Sequence, residues 1–120
     1  MNKNLEISRK HECHVRDFFG RWDGKSRLQP GSGNQAHSPN DVRSENYYVE
    51  CKATGNVSIS LMYAWVDKLY RSAIMGGLRA VLAIRFTQAH PGRCDYYVID
   101  EETMRYFLAC ESELTRRDCG

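Results

Sequence analysis

The sequence predicts an α/β domain in which a mixed β-sheet is flanked by helices. Segments with apolar residues at helical spacing alternate with segments rich in β-forming residues, an order that favours one sheet covered by helices. Residues 79–87 run almost continuously apolar, which is typical of a strand covered on both faces. The chain has 120 residues, of which 42% are hydrophobic, so we predict a single domain over residues 1–120.

The first half of the chain is predicted to form a helix, a long loop and a β-hairpin. Residues 5–19 carry apolar side chains at imperfect helical spacing, and the glycines that follow end the helix. Residues 24–40 are rich in Gly, Ser, Asn, Gln and Pro and are predicted as a functional loop, since loops this long in compact domains usually serve function. Residues 40–43 and 47–53 are predicted as the two strands of the hairpin.

A helix over residues 61–76 is predicted to connect this hairpin to the rest of the sheet. Its apolar residues fall at helical spacing along one face, and the pair Gly76 and Gly77 ends it. Residues 58–61 are predicted as a short extended segment, in which Ser60 caps the helix that follows.

The last third of the chain is predicted as two strands and a helix. After the apolar strand at 79–87, a turn leads to a second strand at 94–99. Asp100 is predicted to cap the final helix, whose first turn carries two glutamates where the helix dipole favours them. Residues 112–120 are predicted as a flexible tail.

Charge, cysteine content and hydropathy narrow the function classes. Residues 1–87 hold thirteen basic and eight acidic side chains, a charge of +5, whereas residues 88–120 hold four and seven, a charge of −3. A basic body suggests a polyanionic partner. Five cysteines without a C-x-x-C pair indicate free thiols in a reducing compartment. No apolar run reaches the length that spans a bilayer, so neither an export signal nor membrane association is predicted.

Asp41, Glu50 and Lys52 form the strongest candidate site. Alternate residues of a strand share a face, so Glu50 and Lys52 are predicted on one side and Cys51 on the other. The hairpin can place Asp41 beside Glu50, where two carboxylates repel each other unless a cation lies between them. Hard divalent ions such as Mg²⁺ take oxygen ligands, and they stabilise the charge that grows on a phosphodiester. Lys52 would position the attacking water or neutralise that charge.

Three other interpretations of the polar residues in this sequence remain open. A Glu-x-Lys pair on a strand is commonly a solvated surface pair. His11 and His14 share a helix face and could belong to a zinc site, although zinc-binding helices space their histidines four residues apart. Cys51 could be a nucleophile paired with a histidine, but its predicted orientation toward the core favours inert packing.

The motifs together resemble the PD-(D/E)XK nuclease superfamily. The resemblance is carried by Gly31-Ser32-Gly33, Asp41-Val42, Val49-Glu50-Cys51-Lys52-Ala53-Thr54 and Ser58-Ile59-Ser60. It covers roughly residues 8–100. Within the superfamily the chain is most similar to the archaeal-type Holliday junction resolvases and their phage-encoded relatives. This resemblance implies a restriction-endonuclease-like fold and a metal-dependent hydrolase that acts on DNA during recombination.

The resemblance also implies roles for individual residues. Mg²⁺ or Mn²⁺ would be held by Asp41, Glu50, the backbone carbonyl of Cys51 and Glu12. Glu6 is the alternative to Glu12 as the carboxylate contributed by the first helix, and Lys52 would be the catalytic lysine. DNA contacts would come from Gly31, Ser32, Gly33, Thr54, Lys68, Arg9 and Lys10.

Two classes of function follow from this resemblance. The first is a homodimeric endonuclease that resolves four-way DNA junctions by paired symmetric nicks, because a two-fold dimer supplies two sites. A nicking or non-specific nuclease of duplex or flap DNA is the alternative within that class. The second class is a DNA-binding or inhibitory module that keeps the fold without activity. The expected location is the cytoplasm of a bacterium, of a phage-infected host or of an archaeon.

Overall fold

The computed structural model describes residues 3–28 and 41–119, which form one five-stranded sheet and three helices. In chain order the elements are α1 (Lys3–Trp22), β1 (Arg27–Leu28), β2 (Asp41–Arg43), β3 (Tyr47–Thr54), α2 (Tyr63–Met75), β4 (Arg79–Phe86), β5 (Asp95–Val98) and α3 (Glu101–Cys119). The predicted α/β fold, a mixed sheet flanked by helices, is confirmed. Within the described ranges, none of the helices is both long and apolar enough to cross a membrane.

The sheet is mixed because one of its connections crosses over. Its strands lie in the order β1-β2-β3-β4-β5. The first three strands pair antiparallel, β3 and β4 pair parallel, and β5 returns antiparallel to β4. A parallel pair needs a long crossover, which α2 supplies, whereas antiparallel neighbours need only short turns. β3 is therefore the strand where the hairpin and the crossover unit meet.

The two faces of the sheet pack against different helices. On one face, Val15 of α1 joins a buried cluster formed by Val42, Val49, Cys51, Val81 and Ala83. On the other face, Leu69 of α2 packs with Leu82 and Ile84 of β4. Four consecutive residues of β4, 81–84, are buried, as expected for a strand covered on both sides. The apolar alternation of β3 and β4 thus separates an α1 side from an α2 side.

The first helix extends beyond its predicted end. α1 continues through Gly20 and ends at Trp22. The side chain of Asp23, the next residue, accepts hydrogen bonds from the turn between β2 and β3. Ser44 Oγ donates to the Asp23 carboxylate at 2.6 Å, and the backbone N–H of Asn46 donates to it at 2.7 Å. Partial burial raises the pKa of Asp23, but these hydrogen bonds outweigh it and hold the pKa below its usual value. Asp23 therefore ties the end of α1 to the turn between β2 and β3.

Three predicted local features differ from the structure. α2 begins at Tyr63, with Met62 at its N-cap and no side-chain cap hydrogen bond, so the predicted Ser60 cap is wrong. Ser60 lies too early in the chain to reach the free N–H groups of the first turn. Residues 58–61, predicted as a short extended segment, belong to neither a helix nor a strand. Instead, Arg27–Leu28 within the predicted loop pairs with β2, and two residues are too few to leave a periodic pattern.

The last helix begins as predicted and runs further than predicted. Asp100 Oδ1 accepts a hydrogen bond of 2.8 Å from the backbone N–H of Thr103, so the predicted cap is confirmed. Residues 112–119, part of the predicted tail, lie in the second half of α3. Thr103 is buried, but most of the side chains that follow it are exposed. α3 is therefore held mainly by its first turns.

Candidate active site

β2 and β3 bring two carboxylates to one point of the sheet. In their antiparallel register Asp41 lies opposite Glu50, and Val42 lies opposite Val49. Both valines are fully buried on the α1 side. Because neighbouring residues of a strand point to opposite faces, Asp41 and Glu50 point to the α2 side, at a separation typical of cross-strand pairs. The hairpin thus produces the carboxylate pair that the sequence predicts.

Lys52 completes this group from the same strand face. Its Nζ lies 3.3 Å from Glu50 Oε2, and the two side chains are 28% and 18% exposed. The same Nζ lies 4.4 Å from the centroid of the Trp65 ring, which α2 places over the strand. The ring attracts the ammonium through its negative face. Trp65 and Glu50 therefore hold the Lys52 ammonium beside the carboxylates while solvent still reaches it.

Tyr48 belongs to the site, although the sequence analysis did not select it. Its hydroxyl donates to Asp41 Oδ2 at 2.7 Å. Desolvation and this hydrogen bond both raise the pKa of Tyr48 well above its usual value, so the phenol stays a donor. The signal was present in the strand alternation, since Tyr48, Glu50 and Lys52 follow at intervals of two. Tyr48 therefore orients one oxygen of Asp41.

Glu12 on α1 is electrostatically coupled to Asp41. Desolvation raises the pKa of Glu12 to about 7; the charge of Arg9 opposes this rise and that of Asp41 adds to it. Glu6, the alternative, lies in an exposed ion pair, with its Oε1 3.8 Å from Lys10 Nζ. Glu12 is therefore the α1 carboxylate whose pKa the charge of Asp41 raises.

Cys51 lies between the site residues in sequence but faces the opposite side of the sheet. The residue is 2% exposed and belongs to the cluster beneath α1. Burial raises the pKa of its thiol far above the usual value, and the charges of Glu12, Asp41 and Glu50 raise it further. A thiol that does not ionise is a poor nucleophile. The structure therefore favours the packing role for the Cys51 side chain.

The predicted DNA contacts fall into two groups. Gly31, Ser32 and Gly33 lie in residues 29–40, outside the described part of the chain. Thr54 ends β3; its carbonyl accepts from the backbone N–H of Thr87 at 2.9 Å, and its Oγ1 accepts from that of Asn56 at 3.0 Å.

The predicted cationic contacts lie on the helices. Lys68 is exposed on α2, and Arg9 and Lys10 are exposed on α1. α1 and α2 cover opposite faces of the sheet. The three cations therefore form no single surface patch around the carboxylate pair, and Lys68 lies on the helix that carries Trp65.

His11 and His14, the two histidines considered for a zinc site, contact protein groups of the sheet. His11 is 1% exposed, and its Nε2 lies 3.1 Å from the Ala83 carbonyl oxygen. His14 Nε2 lies 3.4 Å from Asp95 Oδ2, and Arg85 donates two hydrogen bonds to the same carboxylate. This network joins α1 to β4 and β5, which is a structural role.

The carboxylates of Asp41 and Glu50 determine which metal ion this site would suit. Across residues 3–28 and 41–119, no three or more His, Cys, Asp or Glu side chains are grouped closely enough to hold a metal ion. The carboxylates of Asp41 and Glu50 nevertheless fit Mg²⁺ by donor type. That ion is usually bound through one or two carboxylates, with waters and substrate phosphates completing its shell.

Comparisons with known proteins do not assign this chain to a family. No protein-family model matches the chain, and neither the curated proteins nor the solved structures contain a match. Function must therefore be argued from the site itself.

Proposed function

We propose that this protein is a metal-dependent DNA endonuclease of the PD-(D/E)XK type. The observation that carries the proposal is the registered pair of Asp41 and Glu50 with Lys52 two residues further along the same strand face. Carboxylates placed side by side with a lysine within 3.3 Å suit phosphodiester hydrolysis, because that reaction needs a bound cation and neutralisation of growing negative charge.

Each residue then has a chemical role. When bound, Mg²⁺ or Mn²⁺ supplies Lewis-acid stabilisation and a more acidic water. Asp41 and Glu50 would hold the ion, and the resemblance adds Glu12 and the carbonyl of Cys51. Glu12 would have to move toward the pair, because the described carboxylates are not grouped closely enough to hold an ion as they stand. Lys52 would donate to the phosphate oxygen or to the attacking water.

Branched DNA is the proposed substrate, and a homodimer in the cytoplasm is the proposed state. Junction resolution needs two symmetric nicks, which two copies of one site provide. A nicking or non-specific nuclease would use the same residues. A non-catalytic DNA-binding module would not require the paired carboxylates and lysine.

A cleavage assay separates these functions. The protein is incubated with a labelled four-way junction, linear duplex and single strand, with and without Mg²⁺. Paired nicks in the junction alone support the resolvase, and equal cutting of linear duplex supports the less specific nuclease. Binding without cutting of any substrate would favour the non-catalytic module.

Two substitutions test the site directly. Asp41→Asn and Lys52→Ala are expected to reduce cleavage by at least about a hundredfold while leaving DNA binding largely intact. Asp17→Asn is the matched control, because Asp17 is an exposed carboxylate on α1 paired with Arg16. Full activity of either site variant would refute the assignment of the site.

A further inference from the structure

A cleft with a volume of about 570 Å³ lies between α1 and α3, on the α1 side of the sheet. Its floor includes Tyr47 of β3, Arg79 of β4 and Tyr97 of β5, and its walls include Trp22 of α1 and Tyr106 of α3. The carboxylate pair points to the α2 side, so the cleft is separate from the candidate active site. Clefts of this volume are typical binding sites for small organic molecules.

Aromatic side chains of this cleft remain open to solvent. The exposed fractions are 75% for Trp22, 46% for Tyr106, 38% for Phe18 and 37% for Phe107. The Phe18 ring also stacks on the Tyr97 ring, with their centroids 5.3 Å apart. Large apolar side chains that are exposed together, rather than singly, are typical of a binding surface. Rings of this kind favour a flat aromatic ligand, because such a ligand gains free energy by stacking on them.

Arg79 gives the cleft a positive charge without a direct counter-charge. Its guanidinium carbon lies over the Tyr106 ring, 3.9 Å from the ring centroid. In the part of the chain that the structure describes, this guanidinium forms no ion pair. A guanidinium carries its N–H donors around its edge, in a geometry that matches the oxygens of a phosphate or a carboxylate. Arg79 therefore favours a ligand with an anionic group.

The two carboxylates nearest in chemistry to Arg79 are engaged in structural contacts. Asp23, which also lines the cleft, accepts hydrogen bonds of 2.6 Å and 2.7 Å from the turn between β2 and β3. Asp100, whose pKa the charge of Arg79 helps to lower, accepts a hydrogen bond from Thr103 at the start of α3. Neither carboxylate forms an ion pair with Arg79, so the guanidinium can bind an anion that enters the cleft.

We propose that this cleft binds a free mononucleotide, which combines a flat aromatic base with an anionic phosphate. The base stacks on the exposed rings of the α1 and α3 walls, and the phosphate accepts hydrogen bonds from Arg79. The volume accommodates base, sugar and phosphate together, whereas a single small aromatic acid would leave most of it empty. The proposal does not depend on the proposed nuclease activity, because the cleft and the carboxylate pair lie on opposite faces of the sheet.

Other classes of ligand match the lining less well. A hydrocarbon chain would remove Arg79 from water without giving its charge a partner, which costs free energy. A cationic ligand would meet the charge of Arg79, which already lies over the Tyr106 ring. An inorganic anion gains nothing from the exposed rings. A DNA strand bound at the carboxylate pair lies on the other face of the sheet.

The indole N–H signals of the two tryptophans, measured by NMR on the isotope-labelled full chain, locate the ligand. Trp22 lies in the cleft, whereas Trp65 lies beside Lys52 on the other face of the sheet. Without metal, AMP, GMP, CMP and UMP are added separately. At least one is expected to shift the Trp22 signal but not the Trp65 signal, with a Kd below about 1 mM. The corresponding nucleoside, which lacks the phosphate, is expected to bind at least about fivefold more weakly.

Two variants separate the two halves of the ligand. Arg79→Gln is expected to remove the preference for the nucleotide over the nucleoside, and Phe107→Ala is expected to weaken binding of both at least about fivefold. The controls are Arg105→Gln, because Arg105 is an exposed arginine of α3 that pairs with Glu101, and Tyr63→Ala, because Tyr63 is 79% exposed on α2. Both controls are expected to bind like the wild type. Circular dichroism checks that all four variants keep their helices.

Several results would overturn the proposal. They are a Trp22 signal that no mononucleotide shifts, a ligand that shifts the Trp65 signal instead, and an Arg79→Gln variant that keeps the full preference for the nucleotide. Binding of choline, or of a single-stranded oligonucleotide without binding of any mononucleotide, would overturn it as well. A protein that binds mononucleotides in the cleft and cleaves no DNA would reject only the proposed function.

Discussion

Replacing Glu12 by glutamine is expected to stabilise the metal-free protein at alkaline pH. Desolvation on α1 raises the pKa of this carboxyl from the usual 4.5 to about 7. A raised pKa means that folding favours the protonated form. The stability that Glu12 contributes is therefore fully present below pH 4.5 and is lost as the pH rises through about 7.

The size of the effect follows from the same two values. A pKa raised from 4.5 to about 7 corresponds to about 3 kcal/mol between the two protonation states. Solvent reaches part of the Glu12 side chain, which reduces the expected difference to about 1–2 kcal/mol. Glu12→Gln keeps the shape of the side chain without its charge. The variant should match the wild type at pH 4.5 and exceed it by that amount at pH 8.5.

Urea unfolding at several pH values measures this difference. Glu6→Gln is the matched control, because it removes an exposed carboxylate from the same helix. If Glu12→Gln is no more stable than the wild type at pH 8.5, the carboxylate is not desolvated and the reasoning fails. A separate measurement tests the metal. If Glu12 holds the ion, added Mg²⁺ should stabilise the wild type more than it stabilises Glu12→Gln.

Three further outcomes are expected from contacts described above. Tyr48→Phe should cost about 1 kcal/mol and weaken Mg²⁺ binding severalfold, since Asp41 loses an orienting hydrogen bond; calorimetric titration with unchanged affinity would contradict this. Asp23→Ala should cost about 1–3 kcal/mol at pH 7, and the difference from the wild type should vanish as the pH falls through the lowered pKa of Asp23. Leu82→Ala should cost about 2–5 kcal/mol in urea unfolding, because Leu82 is 2% exposed, whereas Leu61→Ala, at a 51% exposed position, should cost less than about 0.5 kcal/mol.

The predictable part of the fold is the part that periodicity encodes. The apolar run of β4 and the alternation of β3 gave the sheet, and the Asp100 cap gave the start of α3. The pairing of Asp41 with Glu50 was predicted from residue types and intervals along the strands and is present in the register. These features depend on neighbours in sequence, which the chain itself displays. Glu12, in contrast, was selected only through the family resemblance.

The features that were missed depend on contacts between distant residues. α1 continues past Gly20 because Asp23 binds the turn near Ser44, more than twenty residues away. The strand alternation places Tyr48 on the face of Glu50 and Lys52, but only the register places its hydroxyl beside Asp41. Trp65 lies over Lys52 because the crossover helix returns across β3. Neither the composition of the sequence nor the spacing of its residues indicates which of these distant residues come into contact.

Because side chains alternate along β3, substitutions at successive positions have different kinds of effect. Some reduce the stability of the fold, and others remove chemical groups from the site. Positions 49 and 51 face the buried cluster, so their variants lose folding free energy, which any stabilising substitution elsewhere can restore. Positions 50 and 52 face the site, so their variants lose chemical groups that no added stability replaces. In a saturation library made in a stabilised background, tolerance should recover at every second position of this strand, and the positions that do not recover would mark the reactive face.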